Sequence, residues 1–498
     1  MKKYIPFIFI LMALTLASCE KLLDKQPHVF TSAIFWKTAD QADAALAGAY
    51  SALQGEECLG GEDWCGMECW SDDAYLNDTG YPDYLSMTEF RATENLMEGD
   101  LCGLAYGEYY ASIKRCADVL TNVPGMSIDD ATKNRILGEA NFVQAFDYYE
   151  LAARYGGLPL YDPNNSAAAL VRATADETWA KIESNLIAAT GQLSWDHQEG
   201  RPGLGAAWGF LAKVYAYEKK WTEAKAAAET VINSGTVTLF PDYTTLFTIT
   251  NETCSEILWG LGARLNSYPI TPILFLPNNV WNGRHPEPMG EGWRLVSATM
   301  AFYNSYQPGD LRKHTTVAQR YVDTVTFVGY TDTLQAPNNQ SPVVVIKYMT
   351  PYAVTYPGWQ AGLNVPAFRY SDVLLIDAEA IMMLNGGGPA NRTVSVPAAA
   401  DPLNQVRTRA GLPAITSPTF NDLMYERRME LAFEGGDRHF DLVRWGLAQE
   451  IYNNLPAEGS YKPARTFNPD RDNLMPYPQR EIDNSGGSIK QNPGYAGY

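Results

Sequence analysis

The residues of this chain best suited to chemistry with a ligand are aromatic side chains interleaved with amides and charges, and they fall in two stretches. Trp64, Trp70, Tyr75, Tyr81 and Tyr84 occupy a segment dense in Gly, Asp and Cys that also holds Asp83. Tyr268, Trp281, Trp293, Tyr303 and Tyr306 lie in or near an irregular middle region, beside Asn278, Asn279, Asn282 and Arg284. An aromatic plane accepts the apolar C–H face of a sugar ring, while amides, carboxylates and guanidinium groups answer its hydroxyls, and loops are where binding residues concentrate. On location and chemistry, Trp64, Trp70, Tyr81, Trp281, Asn282, Arg284 and Trp293 are the candidates for a ligand groove.

Catalysis has no comparable support. His28, His197, His285, His314 and His439 show neither metal-ligand spacing nor a neighbouring nucleophile motif. Asp72-Asp73 is a carboxylate pair, but adjacent residues point apart, and glycoside hydrolysis needs two carboxyls facing each other at about 5–9 Å. Gly203-x-Gly205-x3-Gly209 precedes a helix without following a strand, so it does not read as a phosphate cradle. No metal or cofactor is expected. After Cys19, the cysteines are Cys58, Cys65, Cys69, Cys102, Cys116 and Cys254. Their even number permits disulfides outside the cytosol in any of about fifteen full pairings, with a bridge among the first five expected.

Helices must position these groups. Asp40 and Asp43 suit a capped start for a helix burying Ala42, Leu46, Ala49, Tyr50 and Leu53. Tyr109, Ile113, Ala117 and Leu120 share a second face, and Phe142, Phe146, Tyr149 and Ala153 a third. Trp208-x2-Leu211-Ala212-x2-Tyr215 followed by Ala224, Ala228 and Val231 has the spacing of a tetratricopeptide helix pair. Between about 236 and 366 the chain turns aromatic and rich in Pro and Asn, with β-branched runs at Tyr321–Val328 and Val343–Tyr348 that read as strands. Helical periodicity returns at Arg369–Leu384. The Pro- and Gly-rich end, with Pro476-Tyr477-Pro478, reads as a loop-like tail packed on the surface.

Residues 426–445, ERRMELAFEGGDRHFDLVRW, form a helical hairpin by periodicity. Tyr425, Met429, Ala432 and Phe433 make one stripe, Gly435-Gly436 the stop, and Asp437 a cap for a helix carrying Phe440, Val443 and Trp445. Arg427 with Glu430, and Glu434 with Arg438, have the spacing of surface pairs contributing about 0.2–0.5 kcal/mol each. This string resembles the closing signature of the SusD/RagB family of nutrient-binding lipoproteins of Bacteroidetes-type bacteria. Leu137–Asp162, Phe368–Leu384, Asn404–Leu412 and the tail MPYPQREI with QNPGY resemble other segments of that family in the same order.

The resemblance implies a mostly α protein: a tetratricopeptide-like right-handed superhelix with a loop-rich, partly β insertion. In that scheme 31–235 is the N-terminal helical domain, 236–366 the ligand-binding insertion and 367–498 the C-terminal helical region. It also implies a binding role without catalysis, in which a glycan or other nutrient is delivered to a SusC-like TonB-dependent transporter. An oligopeptide-binding member of the family, a surface glycosidase and a scaffold that binds only protein are the alternatives.

The N-terminus is consistent with export. Lys2-Lys3 and the apolar run Tyr4–Ala17 form a secretory signal over 1–18, too short to span a bilayer, and Leu16-Ala17-Ser18-Cys19 fits a lipobox. Acylated Cys19 with a tether over 19–30 would hold the protein on the outer membrane, and the several acyl chains implied make attachment durable. A net charge of −19 argues against a nucleic-acid partner, which needs clustered Lys and Arg. Labelled fatty acid is expected to enter the protein, and Cys19→Ala is expected to abolish that labelling; equal labelling of the variant would remove the anchor.

Overall fold

The computed structural model describes residues 35–55, 58–59, 61–76, 82–91, 99–165, 171–262, 296–319, 322–327, 330–333, 341–348, 355–356, 360–361 and 363–495. Its first helix, α1 (Ala39–Leu53), buries the expected face of Ala42, Leu46, Ala49, Tyr50 and Leu53. The cap differs from the expectation. Thr38 and Gln41 form the capping box, with Gln41 N donating to Thr38 Oγ1 at 3.3 Å. Asp43 instead accepts two hydrogen bonds of 2.8 Å from Arg135.

Helices α2 (Asp100–Asn122), α3 (Asp130–Tyr155), α4 (Ala175–Thr190), α5 (Leu204–Tyr217) and α6 (Trp221–Ile232) follow, and each packs on the one before it. This is the nearest-neighbour stacking of a tetratricopeptide-like superhelix. Small residues let α5 and α6 approach closely: Ala212, Ala216, Ala224 and Ala228 are buried between them and their neighbours. Gly209 is needed for the same reason, since a Cβ there would lie 2.8 Å from both Phe368 and Val373. The three spaced glycines near the start of α5 therefore serve packing.

The middle of the chain contributes little helix. Strands β1 (Ala74–Leu76), β2 (Ile257–Leu261), β3 (Val296–Ala298), β4 (Val317–Gln319), β5 (Val343–Val345) and β6 (Val365–Arg369) form two antiparallel sheets. One has the order β1-β3-β5-β4, with Ala74 opposite Ala298 and Val317 opposite Val345. The other pairs β2 with β6, Trp259 lying opposite Phe368, and its register shifts beside Pro366, which has no N–H to give the ladder. Thr324–Phe327 and Tyr330–Thr333 form a further hairpin where a strand was expected.

Helix α7 (Tyr370–Leu384) then packs on α6 and carries α8 (Ala400–Arg409) and α9 (Phe420–Leu431). The stripe through Phe433 overstates the length of α9. The helix stops at Leu431, Phe433 adopts φ +62°, and Gly435 and Gly436 have φ +99° and +84° before α10 (Asp437–Arg444). Gly436, not Asp437, is the cap residue of α10. A Cβ on Gly435 would lie 2.5 Å from the Trp64 ring, so this turn tolerates nothing larger.

The charges of that segment are the larger correction. Arg427 and Glu430 do not pair with each other along a surface, nor do Glu434 and Arg438; the first three are buried, Arg438 is partly buried, and all are joined to other elements. Arg369 donates to Glu256 at 2.5 Å, to Glu430 at 2.9 Å and to Glu434 at 2.6 and 2.7 Å. Arg409 bridges Glu256 and Glu430, and Arg312 is ion-paired with Asp310, Glu426 and Glu430. Arg427 joins Asp372 to Asp441, and Lys213 of α5 joins Asp372 to Asp437. Toward the N-terminal half, Arg428 holds Asp72 and Asp73, Arg438 holds Asp72, and Glu68 accepts from the N–H groups of Gly435 and Gly436 at 2.9 and 2.8 Å. Three arginines hold Glu430 so firmly ionised that its carboxyl falls well below the usual range despite burial.

Two further expectations change. The tail is wedged into the body: Tyr477 is fully buried, and Asn492 donates to the carbonyls of Tyr155 and Met475 at 3.1 and 2.7 Å. Cys58, Cys69, Cys116 and Cys254 are free thiols, the first three buried among helices as small apolar groups, so none of these forms the expected bridge. The side chains of Cys65 and Cys102 lie outside the described residues. Among the described residues no helix is long and apolar enough to cross a membrane, and no His, Cys, Asp or Glu cluster suits a metal.

Removing one partner of a buried ion cluster strands the others, at a cost of about 3–5 kcal/mol. Arg369→Met is accordingly expected to lose about that much stability in urea unfolding. A loss below about 1 kcal/mol would show that the cluster does not hold the fold.

Candidate ligand-binding cleft

The aromatic segment after α1 is folded inward rather than displayed. Trp64 and Trp70 are each 3% exposed, which removes both from the proposed groove. Trp64 lies against Gly435, and Trp70 stacks on His439 with ring centroids 3.7 Å apart and meets Phe440 edge-on. The ion network contributes: with Glu68, Asp72 and Asp73 committed to the C-terminal hairpin, Trp70 between them is held beneath it. Tyr84 is likewise buried, Tyr75 donates to Glu89 at 3.1 Å, and Tyr303 donates to Asp323 at 2.8 Å. Asp72 and Asp73, one carried below and the other above the ordinary carboxylate range, are structural ions and no catalytic pair. Tyr81, Trp281, Asn282, Arg284 and Trp293 lie outside the described residues.

A cleft of about 580 Å³ opens instead between α1, the turn containing Glu199–Arg201, and the edge of the β2–β6 sheet. Tyr50 and Leu261 form its apolar side; Gln54, Glu199, Arg201, Glu252 and Asn364 supply the polar groups. It continues into a lobe of about 290 Å³ along Ile257–Gly260, where Trp259 is a lining residue. The indole N–H of Trp259, though buried, has no acceptor among the described residues.

An ion chain sets the wall. Arg135 donates to Asp43 at 2.8 Å and to Glu139 at 2.9 Å; Glu139 also accepts from Arg201 at 3.0 Å and from Tyr50 at 3.1 Å. The Arg201 guanidinium lies 4.3 Å from the centre of the Tyr50 ring. Burial, with the Glu139 charge beside it, raises the Tyr50 phenol well above its ordinary range, so its proton stays in place as a donor. Gln54 reaches the Gly262 carbonyl at 2.8 Å, and the Asn364 backbone N–H donates to Glu252 at 2.8 Å. The result is a concave site with fixed hydrogen-bonding groups and an aromatic floor, the usual make-up of a small-ligand pocket.

None of these residues was a sequence candidate. They come from five separated segments, and Tyr50 reads simply as part of the buried face of α1. The one local signal was the placing of cleft residues where regular elements give way to loops: the amide of Gln54 at the end of α1, and Gly262 after β2, where the chain enters the stretch holding Trp281 and Trp293.

Comparison with known proteins decides the family. A family model described as the SusD family matches residues 277–495, and a second, described as starch-binding associating with outer membrane, matches 71–216. The chain belongs to the SusD/RagB family. SusD-like protein P2 of Formosa agariphila is 25% identical over 99% of this chain and 100% of its own length. Surface glycan-binding protein A from Bacteroides fluxus superposes with a TM-score of 0.78 at 22% identity, covering 92% of this chain and 100% of that one. The protein of that name from Bacteroides thetaiotaomicron, in complex with laminarihexaose, gives 0.76 at 22% identity, covering 91% and 99%. In this SusD-family chain the buried ionic hairpin lies within the segment that the family model matches, and the cleft draws on none of the hairpin's residues.

His439 of the signature supplies a pH test of the buried stack. Burial lowers its pKa from 6.5 to about 3, so it is neutral in the fold but takes a proton in the unfolded chain below pH 6.5. Stability from this group is complete above 6.5 and is lost as pH falls, by up to about 1.4 kcal/mol per unit. His439→Phe, which keeps a ring against Trp70, is expected to be less acid-sensitive than the parent between pH 6.5 and 4.5 in unfolding titrations. Parallel curves would place the histidine outside the stack.

Proposed function

We propose that this SusD-family protein is a lipid-anchored surface protein that binds a glycan in the cleft beside Arg201 and passes it, without a covalent step, to a SusC-like TonB-dependent transporter in the outer membrane. The observation that carries the reading is the lining of the cleft. Carboxylates at Glu199 and Glu252, amides at Gln54 and Asn364 and the guanidinium of Arg201 offer both acceptors and donors, as a ring of hydroxyls requires. The laminarihexaose complex of a structurally similar protein supports an oligosaccharide as cargo. The family model's description supports the membrane setting. Trp281, Asn282, Arg284 and Trp293 belong to the segment that the chain enters from Gly262, a cleft residue; we assign them, with Tyr81, to stacking and hydroxyl contacts on the same ligand.

Two or three stacked rings at about 0.5–1.5 kcal/mol each, with a few hydrogen bonds, give micromolar to millimolar affinity. Such weak binding suits a collector that must release its cargo. Titration calorimetry of the soluble Cys19-truncated protein with laminarin and other polysaccharides is expected to find binding, with Glu252→Ala and at least one of Trp281→Ala and Trp293→Ala weakening it about tenfold. No shortened products are expected on prolonged incubation. Product formation would convert the reading to a glycosidase, and unchanged binding in all three variants would move the site elsewhere.

A further inference from the structure

The cleft has a neighbour. Between the first turns of α3 and residues 192–202 lies a second cavity of about 390 Å³, whose lining includes Asn134, Arg135, Gln192, His197 and Gln198. The turn before α5 is divided between the two. Gln198 and Pro202 line the second cavity, Glu199, Gly200 and Arg201 line the cleft, and His197 lines both the second cavity and the deeper lobe of the cleft. One carboxylate joins their walls. Glu139, a lining residue of the second cavity, accepts from Arg135 on Oε1 at 2.9 Å and from Arg201 and Tyr50 of the cleft on Oε2 at 3.0 and 3.1 Å. Two hydrogen bonds and the width of a carboxylate therefore bring a guanidinium nitrogen of each cavity within about 8 Å of the other.

The second cavity is built on a held backbone. Leu193 packs so closely on α3 that a Cβ on Gly138 would lie 2.8 Å from it, and a Cβ on Gly203 would lie 2.5 Å from the His197 ring. Leu204 N donates to the Ser194 carbonyl at 2.8 Å, and Arg201 N to that of Gln198 at 3.0 Å, which closes the turn. The groups this frame presents suit a polyhydroxyl ligand. Asn134 and Gln198 are exposed amides, each able to donate and to accept. Gln192 gives its oxygen to Asn141 Nδ2 at 2.9 Å, so its NH2 group is the side it offers elsewhere. His197 Nδ1 lies 2.9 Å from the Trp195 carbonyl, which can only accept; Nδ1 thus carries the proton, and Nε2 of the neutral ring is an acceptor. At 390 Å³ the cavity is near the small end of the range of about 300–1,000 Å³ for ligand pockets, enough for a short stretch of a sugar chain.

We propose that this cavity is a second saccharide subsite, which takes a further segment of the glycan bound in the cleft and so holds a polymer at two neighbouring points. Once one segment is bound, the other binds from a high local concentration, so two weak sites retain a long chain better than either alone. The proposal rests on the glycan-binding reading and adds a second point of attachment.

Affinity electrophoresis in gels cast with laminarin, pullulan or xylan tests the two separately. The parent protein is expected to be retarded by at least one of these polymers. In that gel, Asn134→Ala with Gln198→Ala is expected to be retarded about threefold less than the parent, and Ala131→Trp, which fills the cavity from an exposed position of α3, is expected to lose a similar share, both with unchanged thermal unfolding. Glu252→Ala, which weakens the cleft, is expected to keep a residual retardation that disappears when the Asn134 and Gln198 changes are added. Retardation of both second-cavity variants equal to that of the parent overturns the subsite and leaves glycan binding intact. Complete loss of retardation in Glu252→Ala alone likewise overturns it, since the second cavity then holds nothing by itself. Retardation of the parent by none of the polymers overturns the binding reading together with the proposal.

Discussion

The packing of the C-terminal helices, and with it one edge of the cleft, depends on one carboxylate, Glu430, and the arginines gathered on it. Arg369 begins α7, Arg409 ends α8, and Arg312 comes from the loop before β4; all three pair with Glu430 of α9. A buried ion in this setting adds little net stability, because desolvation offsets most of the attraction. Its effect is on uniqueness: with so many charges buried together, any other packing leaves some of them unpaired at a cost of several kcal/mol. The network therefore selects one arrangement of helices that are individually ordinary. It also reaches Glu256, and Glu256 directly precedes β2. Through that residue the ionic core fixes the strand that forms one edge of the cleft.

The second constraint is steric. Phe433 sits at positive φ and is fully buried, its ring edge-on to Phe302, while the next three residues turn the chain back under Trp64 and Met67. A strained, non-glycine residue in the left-handed region costs about 1–3 kcal/mol. Here the strain aims Glu434 at Lys347 and Arg369 and frees the glycine N–H groups for Glu68. A continuous helix would satisfy the periodicity of the segment and break these contacts. Tertiary pairing overrides local preference at this point.

That conflict explains what could be read in the sequence. The helices of the first half were legible because Leu46, Ile113, Phe142 and Phe146 repeat at helical spacing, and spacing is local information. The tetratricopeptide pair was legible through its alanines. The charges of the signature were visible but misassigned to the surface, since partners can lie far off in the chain: 61 residues separate Arg369 from Glu430, and 366 separate Arg438 from Asp72. Trp64 and Trp70 were misassigned for the same reason: glycine, aspartate and cysteine suggest an open loop only while the arginines that cover them are unknown. The cleft residues were the least legible. Tyr50, Arg201 and Asn364 acquire a common role only through the fold, and no spacing joins them.

The separation of these two parts has a physical logic. Ions that fix the helical frame are buried and paired, so substitutions among them act on folding. The cleft is built at the ends of elements, from Gln54 after α1, the Glu199–Arg201 turn before α5 and Asn364 before β6, where side chains change without breaking a helix or a ladder. Besides Glu256, the Tyr50–Glu139–Arg201 contact ties the two together, since Glu139 is a buried residue of α3 whose carboxylate also orients the cleft wall. A frame held by internal charge pairs can thus accept new polar groups at its loop ends without being rebuilt.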